Sequence, residues 1–195
     1  TAAGLLTATH DGANGPVEIS LDGLGEATPP PAGTPLLRLN AGVDDTITVG
    51  GVEWQPGSEW LAPGSLGNVF AASGAAIAGT DDDALYRSER YGNPFGYEIP
   101  LTDGAYRVRL HFAEIWHGVF TAGLEPGDRV FDIVLEGQPR VTGLDLEVAV
   151  GAPLTAHIIE LDVVVDDGVL DVDLALGADG ADQAKLSALE VIALP

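Results

Sequence analysis

Apolar residues occupy every second position along several stretches of the chain. The clearest lie at residues 106–112, 131–135, 159–165 and 170–176, and most of the positions between them are charged or polar. A period of two is typical of a β-strand with one face buried and the other exposed to solvent. These stretches therefore predict amphipathic strands, and we expect their apolar faces to meet in a common core.

Turn residues separate these strands. The chain has 26 glycines and 13 prolines, and no segment has a long 3.6-residue apolar period. This pattern predicts an all-β antiparallel sandwich of the jelly-roll kind, with at most one short helix or turn near residues 81–88. We expect the following residues to lie inside: Leu110, Phe112, Phe131, Ile133, Leu161, Val163, Leu170, Leu174 and Val191.

The first 35 residues differ from the rest. Alternation at residues 17–22 follows a turn-rich segment, which predicts a hairpin within residues 1–26. Residues 27–35 contain consecutive prolines and predict an extended linker, so a main domain is expected at 36–195. Residues 6–26 resemble the closing strands of immunoglobulin-like modules of the abnormal-spindle/hydin type.

Aromatic residues are concentrated in one segment. Residues 85–118 hold seven of the twelve Phe, Trp and Tyr residues, including all four tyrosines. Flat rings on strands and their connecting loops suit the apolar face of a pyranose ring, whose hydroxyls also need directed hydrogen bonds. The alternation assigns Tyr86, Phe95 and Tyr97 to packed positions, so Tyr91 and Trp116 are the rings we expect at a surface site.

This segment also carries a family resemblance. LYRSERYGNPFGYEIP at 85–100, HFAEIW at 111–116, DRVFDIVLEGQ at 128–138 and KLSALEVI at 185–192 follow one another in order. Together with LRLNAGV at 37–43, they resemble the successive blocks of a malectin or malectin-like domain over residues 37–194. The resemblance implies a β-sandwich that binds carbohydrate without catalysis.

The resemblance also implies five binding residues. Tyr91 of the ERY phrase matches a tyrosine that stacks on the sugar, and Asp182 matches a carboxylate shortly before the last strand. Phe70 falls where the family has another tyrosine. Trp116 and His117 occupy the place of two adjacent aromatic residues, in what we expect to be an exposed loop after the strand. Phe70 and His117 depart from the family pattern, so the identity of the sugar stays open.

The composition limits the kinds of partner that the chain can bind. Thirty acidic residues stand against seven arginines and a single lysine, for a net charge of −22, which makes nucleic acid and anionic membrane surfaces poor partners. The acidity indicates adaptation to high salt or, alternatively, calcium binding, although no EF-hand loop occurs. The chain has no cysteine, and its four histidines lack metal-ligand spacing. No apolar run is long enough for a membrane helix.

These observations favour a non-catalytic glycan-binding domain with no cofactor. Because the chain has no methionine, we expect it to be part of a longer, exported protein acting outside the cell or at its surface. A module that binds protein or peptide, with structural calcium, is the alternative. A second alternative pairs Glu114 with Asp182 as the acid and base of a glycosidase, since such enzymes use two carboxylates.

Overall fold

A computed structural model describes residues 33–65, 67–120, 125–178, 180 and 182–195, together with the backbone of two short strands near the N-terminus. The chain divides into two compact units, Thr1–Pro30 and Pro31–Pro195. In the first unit, β1 (Thr7–Ala8) pairs antiparallel with β2 (Val17–Glu18). The other residues of the predicted hairpin and residues 27–32 of the predicted linker lie outside the described residues, so these domain boundaries stay a prediction.

The second unit is built mainly of strands, as the alternation predicts. Its strands are β3 (Pro35–Asn40), β4 (Ile47–Val49), β5 (Val52–Pro56), β6 (Gly67–Ala71), β7 (Ser88–Gly92), β8 (Phe95–Pro100), β9 (Gly104–Phe112), β10 (Val130–Leu135), β11 (Gln138–Asp145), β12 (His157–Val165), β13 (Val169–Leu176), β14 (Ala184–Leu186) and β15 (Ala188–Ala193). Its helices are α1 (Asp83–Tyr86), α2 (Trp116–Val119) and α3 (Leu146–Val150), and Gly57–Trp60 form a 3-10 turn.

Two larger sheets pack face to face. One has the order β12-β9-β15-β3-β5-β4 and the other β11-β10-β13-β8. Neighbouring strands are antiparallel except β3 and β5, which run parallel. The inner faces share one apolar cluster, in which the rings of Phe112 and Phe131 lie 5.7 Å apart. The prediction of an all-β sandwich is confirmed.

The apolar residues at alternating strand positions face the core, as predicted. Eight of the nine predicted core residues are buried, while Leu161 is half-buried and packs against the same cluster. Tyr86, Phe95 and Tyr97 are buried too. In β9 the residues at even positions face the core and Arg107 and Arg109 remain partly exposed, because side chains of a strand alternate between its two faces.

The helices depart from the prediction. α1 lies within the predicted segment at 81–88, but α2 and α3 were not expected, and Trp116 begins a helix where we expected an irregular loop. Both helices span four or five residues, too few to display a 3.6-residue pattern in sequence. Local caps define α3 instead, since the Asp145 carboxylate accepts the Val148 N–H at 3.2 Å and Gly151 ends the helix at φ 73°. None of the helices in the described residues is long and apolar enough to cross a membrane.

A third, smaller sheet accompanies the sandwich. It has the order β14-β7-β6, and both of its strand pairs are antiparallel. Tyr91 on β7 pairs with Lys185 on β14 and with Asn68 on β6, and Glu89 pairs with Phe70. Cross-strand partners share a face of a sheet, so Phe70, Glu89, Tyr91 and Lys185 lie on one face. This sheet positions the candidate site.

Candidate functional site

The short helix α2 brings Trp116 to the site. It follows β9 closely, and Glu114 on the connection accepts the backbone N–H groups of Trp116 at 3.0 Å and of His117 at 3.1 Å through its Oε1 atom. The first N–H groups of a helix have no partner within the helix, so this carboxylate satisfies two of them. Glu114 thereby determines where α2 begins and where the Trp116 ring is presented.

Glu114 is itself held by two buried cations. Its Oε2 atom lies 2.6 Å from Arg129 Nε and 3.3 Å from Lys185 Nζ, and all three side chains are buried. Burial alone would raise the pKa of Glu114, but the nearby charges of Lys185 and Arg129, together with the His117 N–H, lower it to about 2. Glu114 is therefore ionised at neutral pH and has no proton to donate.

The only lysine of the chain lies beneath the site. Lys185 is fully buried, and its ammonium group contacts the Glu89 carboxylate as well as Glu114. Burial raises the pKa of Glu89 to about 6, with Lys185 lowering it and Glu114 raising it. An unpaired buried charge is costly, so this cation and the two carboxylates depend on one another.

Arg129 connects the buried ions to the surface. Its Nη2 atom donates to Asp182 Oδ2 at 2.6 Å, and its Nη1 atom donates to the Gln183 carbonyl. Asp182 Oδ1 accepts the Gln183 N–H at 2.7 Å, and His117 Nε2 lies 3.5 Å from Asp182 Oδ2. The Asp182 side chain remains partly exposed. Asp182 is therefore a carboxylate held in one orientation with free accepting capacity toward solvent.

Three aromatic rings contact one another near the cleft. Trp116 and Phe120 stack with an interplanar angle of 22° and centroids 5.1 Å apart. The Phe70 ring meets both edge-on, with centroids 5.0 Å from Trp116 and 5.3 Å from Phe120. Trp116 is 41% exposed and Phe120 is 60% exposed, so neither ring is part of the core. Large exposed rings in a group are typical of a binding surface.

A cleft of about 220 Å³ lies between aromatic and charged side chains. It is lined by Phe70, Glu89, Tyr91, Trp116, Arg129 and Asp182. Four of the five residues predicted from sequence thus face one cleft, although they come from four separate regions of the chain. The fifth, His117, contacts the cleft through Asp182.

Sequence reasoning missed the buried half of the site. Glu89, Arg129 and Lys185 were not predicted, and neither was the exposed ring of Phe120. One signal was available, since a single lysine among thirty acidic residues is unusual enough to indicate a specific partner. The distance in sequence between Glu89 and Lys185 hid the identity of that partner.

The structure argues against the hydrolytic alternative. A general acid needs a raised pKa, whereas the pKa of Glu114 is lowered to about 2 and both of its oxygens contact protein groups. Glu114 and Asp182 are also joined through the same guanidinium of Arg129 and do not face each other across open space. Within the described residues, no group of three or more His, Asp or Glu side chains is arranged to hold a metal ion.

Comparison with known proteins agrees with this architecture. The family described as "Malectin domain" matches residues 36–189. The chain belongs to the malectin domain family. The kinesin-like protein KIN-14E of Oryza sativa subsp. japonica is 35% identical over 113 residues, which are 53% of this chain and 10% of that protein. Membership in the family supports a carbohydrate-binding or interaction module.

Solved structures share the fold. The structure of the plant peptide RALF23 in complex with FER and LLG2 matches 83% of this chain with a TM-score of 0.71 and 18% identity. The β-glucuronidase of Bacteroides uniformis matches 82% of it with a TM-score of 0.65 and 19% identity. The malectin domain corresponds to 49% and 18% of those chains. It spans half the length or less of these proteins.

Proposed function

We propose that residues 36–195 form a non-catalytic carbohydrate-binding module of a larger extracellular or cell-surface protein, and that a sugar binds in the cleft between Tyr91, Trp116 and Asp182. The main support for this proposal is that an exposed aromatic surface and an oriented carboxylate face the same cleft. The family to which the chain belongs supports the same assignment.

The chemistry of the cleft suits a sugar ring. The exposed face of Trp116 offers an apolar surface for the C–H face of a pyranose, with Tyr91 and Phe70 as further walls. The Asp182 carboxylate accepts hydrogen bonds from adjacent hydroxyls, and such charge-assisted bonds are stronger than neutral ones. Since Arg129 already holds the carboxylate in place, little side-chain entropy is lost on binding.

The size of the cleft favours a short ligand. Pockets that enclose drug-sized ligands have volumes of roughly 300–1,000 Å³, and this cleft has about 220 Å³. We infer that it holds one sugar residue of a glycan, with the neighbouring residues outside. A peptide would need an extended groove or a sheet edge.

A glycan array with the full chain tests the proposal, followed by calorimetry on the glycans that bind. Trp116→Ala should weaken binding by about tenfold or more, because ring stacking contributes about 0.5–1.5 kcal/mol beyond the burial of apolar area, and 1.4 kcal/mol is a factor of ten. Val164→Ala, an exposed apolar residue on β12, is the matched control and should bind like the parent. Retained binding by Trp116→Ala would place the sugar elsewhere.

Asp182→Asn tests the polar half of the cleft. The amide keeps the shape of the side chain but removes the charged acceptor, so binding should weaken by about tenfold or more, in line with about 1.5–3 kcal/mol for a hydrogen bond to a charged group. Asp45→Asn makes the same change of charge at an exposed position and should leave binding unaltered. Equal losses in the two variants would mean that the net charge of the protein matters and that Asp182 does not.

Peptide binding is the second candidate function. It is favoured by the structural likeness to the plant complex that contains the peptide RALF23. At 18% identity this likeness concerns the fold, so we rank it below glycan binding. A peptide ligand that neither competes with sugar nor responds to Trp116→Ala would favour it.

We also propose a context for the module. Residues 1–26 are the last hairpin of an immunoglobulin-like domain and 27–35 a linker, a proposal supported by the short antiparallel pair and by the separation of Thr1–Pro30 as a compact unit. The acidic composition supports an exported protein that works at high salt. The salt experiment described below separates this explanation from calcium binding.

A further inference from the structure

Positive and negative charges around the cleft do not balance. Three carboxylates, those of Glu89, Glu114 and Asp182, accompany two cations, Arg129 and Lys185. Together these five side chains carry one net negative charge. Of the residues that line the cleft, Glu89 and Asp182 are anionic and Arg129 is cationic. The cleft is thus a negative site within a chain of net charge −22.

The two cations are committed to protein partners. Each of the three guanidinium nitrogens of Arg129 donates to an acceptor in the protein, namely Glu114, Asp182 and the Gln183 carbonyl. The Lys185 ammonium is fully buried between Glu89 and Glu114. Any anionic ligand would therefore meet carboxylates whose charge is only partly offset.

The geometry points to charge selection at this site: the cleft accepts neutral sugars and sugars that carry an amino group, and it excludes uronic acids and other acidic sugars. This inference rests on the proposed function and specifies its ligand class. An ammonium group on the sugar would lie near Asp182 and Glu89, whereas a sugar carboxylate would be repelled by both. Like charges brought together in a partly desolvated site cost affinity and restrict the range of partners.

Three monosaccharides test this selection without any assumption about linkage. D-Glucose, D-glucosamine and D-glucuronate share one ring configuration and differ only at C2 or C6. Titration at neutral pH and about 0.01 M NaCl is followed by NMR through the indole N–H of Trp116, assigned with Trp116→Phe. We expect glucosamine to bind at least as tightly as glucose, and glucuronate to bind about tenfold more weakly or worse.

A change in salt concentration tests the same inference without any substitution. Raising NaCl from about 0.01 M to about 1 M shortens the screening length from about 30 Å to about 3 Å. The affinity for glucuronate should then rise several-fold, whereas the affinity for glucose should stay constant. Glu89→Gln should also reduce the difference in affinity between glucose and glucuronate. Glu53→Gln, at an exposed position outside the cleft, should leave this difference unchanged.

Acidification should also reduce the discrimination against glucuronate. Lys185, Glu114 and Arg129 are the charged groups that face Glu89, and burial raises the pKa of Glu89 to about 6. Below this pH, Glu89 gains a proton and the net negative charge of the cleft is lost, so discrimination against glucuronate should weaken between pH 7.5 and pH 5. Glu89→Gln should abolish this pH dependence, because the variant has no carboxyl group at this position.

The outcomes separate this inference from the proposed function. Glucuronate binding as tightly as glucose, or more tightly, would overturn charge selection and indicate that Arg129 receives acidic sugars, while sugar binding would stand. A glucuronate affinity that is weak but independent of salt would also overturn it, because the exclusion would then be steric. If none of the three sugars shifts the Trp116 signal at high millimolar concentration, the proposed sugar site itself is wrong.

Discussion

Replacing Lys185 with methionine would remove the cation on which the floor of the cleft depends. Methionine nearly preserves the side-chain volume, so the main effect is electrostatic. Glu89 loses its contact with a cation, and Glu114 keeps only Arg129. Breaking a buried ion pair from one side costs about 3–5 kcal/mol. For a unit of this size, about 2–4 °C per kcal/mol gives a fall in Tm of about 6–20 °C.

Urea unfolding followed by tryptophan fluorescence measures this cost, because Trp54, Trp60 and Trp116 all lie in the unit Pro31–Pro195. The penalty should be smaller at pH 5 than at pH 7.5, since Glu89, with its pKa already raised to about 6, can then become neutral. Adding Glu89→Gln to Lys185→Met should recover part of the loss, as expected for coupled residues.

Arg87→Met is the matched control. Its ion pair with Asp83, at 2.9 Å, is about one-third exposed on both sides, and such pairs contribute about 1 kcal/mol or less. The reasoning would be refuted if Lys185→Met lowered the free energy of unfolding by no more than Arg87→Met does. So would a loss that is the same at both pH values, because the penalty would then not arise from the uncompensated Glu89 carboxylate.

Five further predictions concern stability and the presentation of the site. Because the pKa of Glu114 is about 2, below its ordinary 4.5, its contribution of about 3 kcal/mol should be complete above pH 4.5 and lost as pH falls toward 2 in urea titrations. Glu89, with its pKa raised to about 6, should act oppositely and lower stability as pH rises from 4.5 through 6, a trend that should be absent in Glu89→Gln. Gly118→Ala should weaken glycan binding without unfolding the domain, because the new Cβ would lie 2.5 Å from Leu154 Cγ and push α2 outward; unchanged affinity by calorimetry would contradict the role of α2 in presenting Trp116. The Tm should rise with NaCl as self-repulsion of the −22 charge is screened, and a rise produced by millimolar calcium alone would instead indicate specific calcium sites. Deletion of residues 1–30 should change the Tm by no more than about 2 °C in calorimetry, and a larger fall would mean that the hairpin stabilises the main unit.

The sequence by itself determined the parts of this protein that depend on local pattern. Alternation over 106–112 and 131–135 is enough to place Phe112 and Phe131 in a core between two sheets, because a strand with one apolar face has to bury it. The dense aromatic segment and the family resemblance predicted Tyr91 and Trp116 as binding residues, and both line the cleft. Both signals are contained in short runs of residues and need no knowledge of distant contacts.

The tertiary structure alone decided how the site is assembled. Nothing in the local pattern shows that Glu89 on β7 meets Lys185 on β14, or that Arg129 joins Glu114 to Asp182, because these pairs are distant in sequence and meet only through strand pairing and loop position. α2 was missed for a related reason, since its first N–H groups are satisfied by a carboxylate that is held by two remote cations. Periodicity records which face of a strand is buried, whereas the charge of the cleft depends on which buried ions the fold brings together.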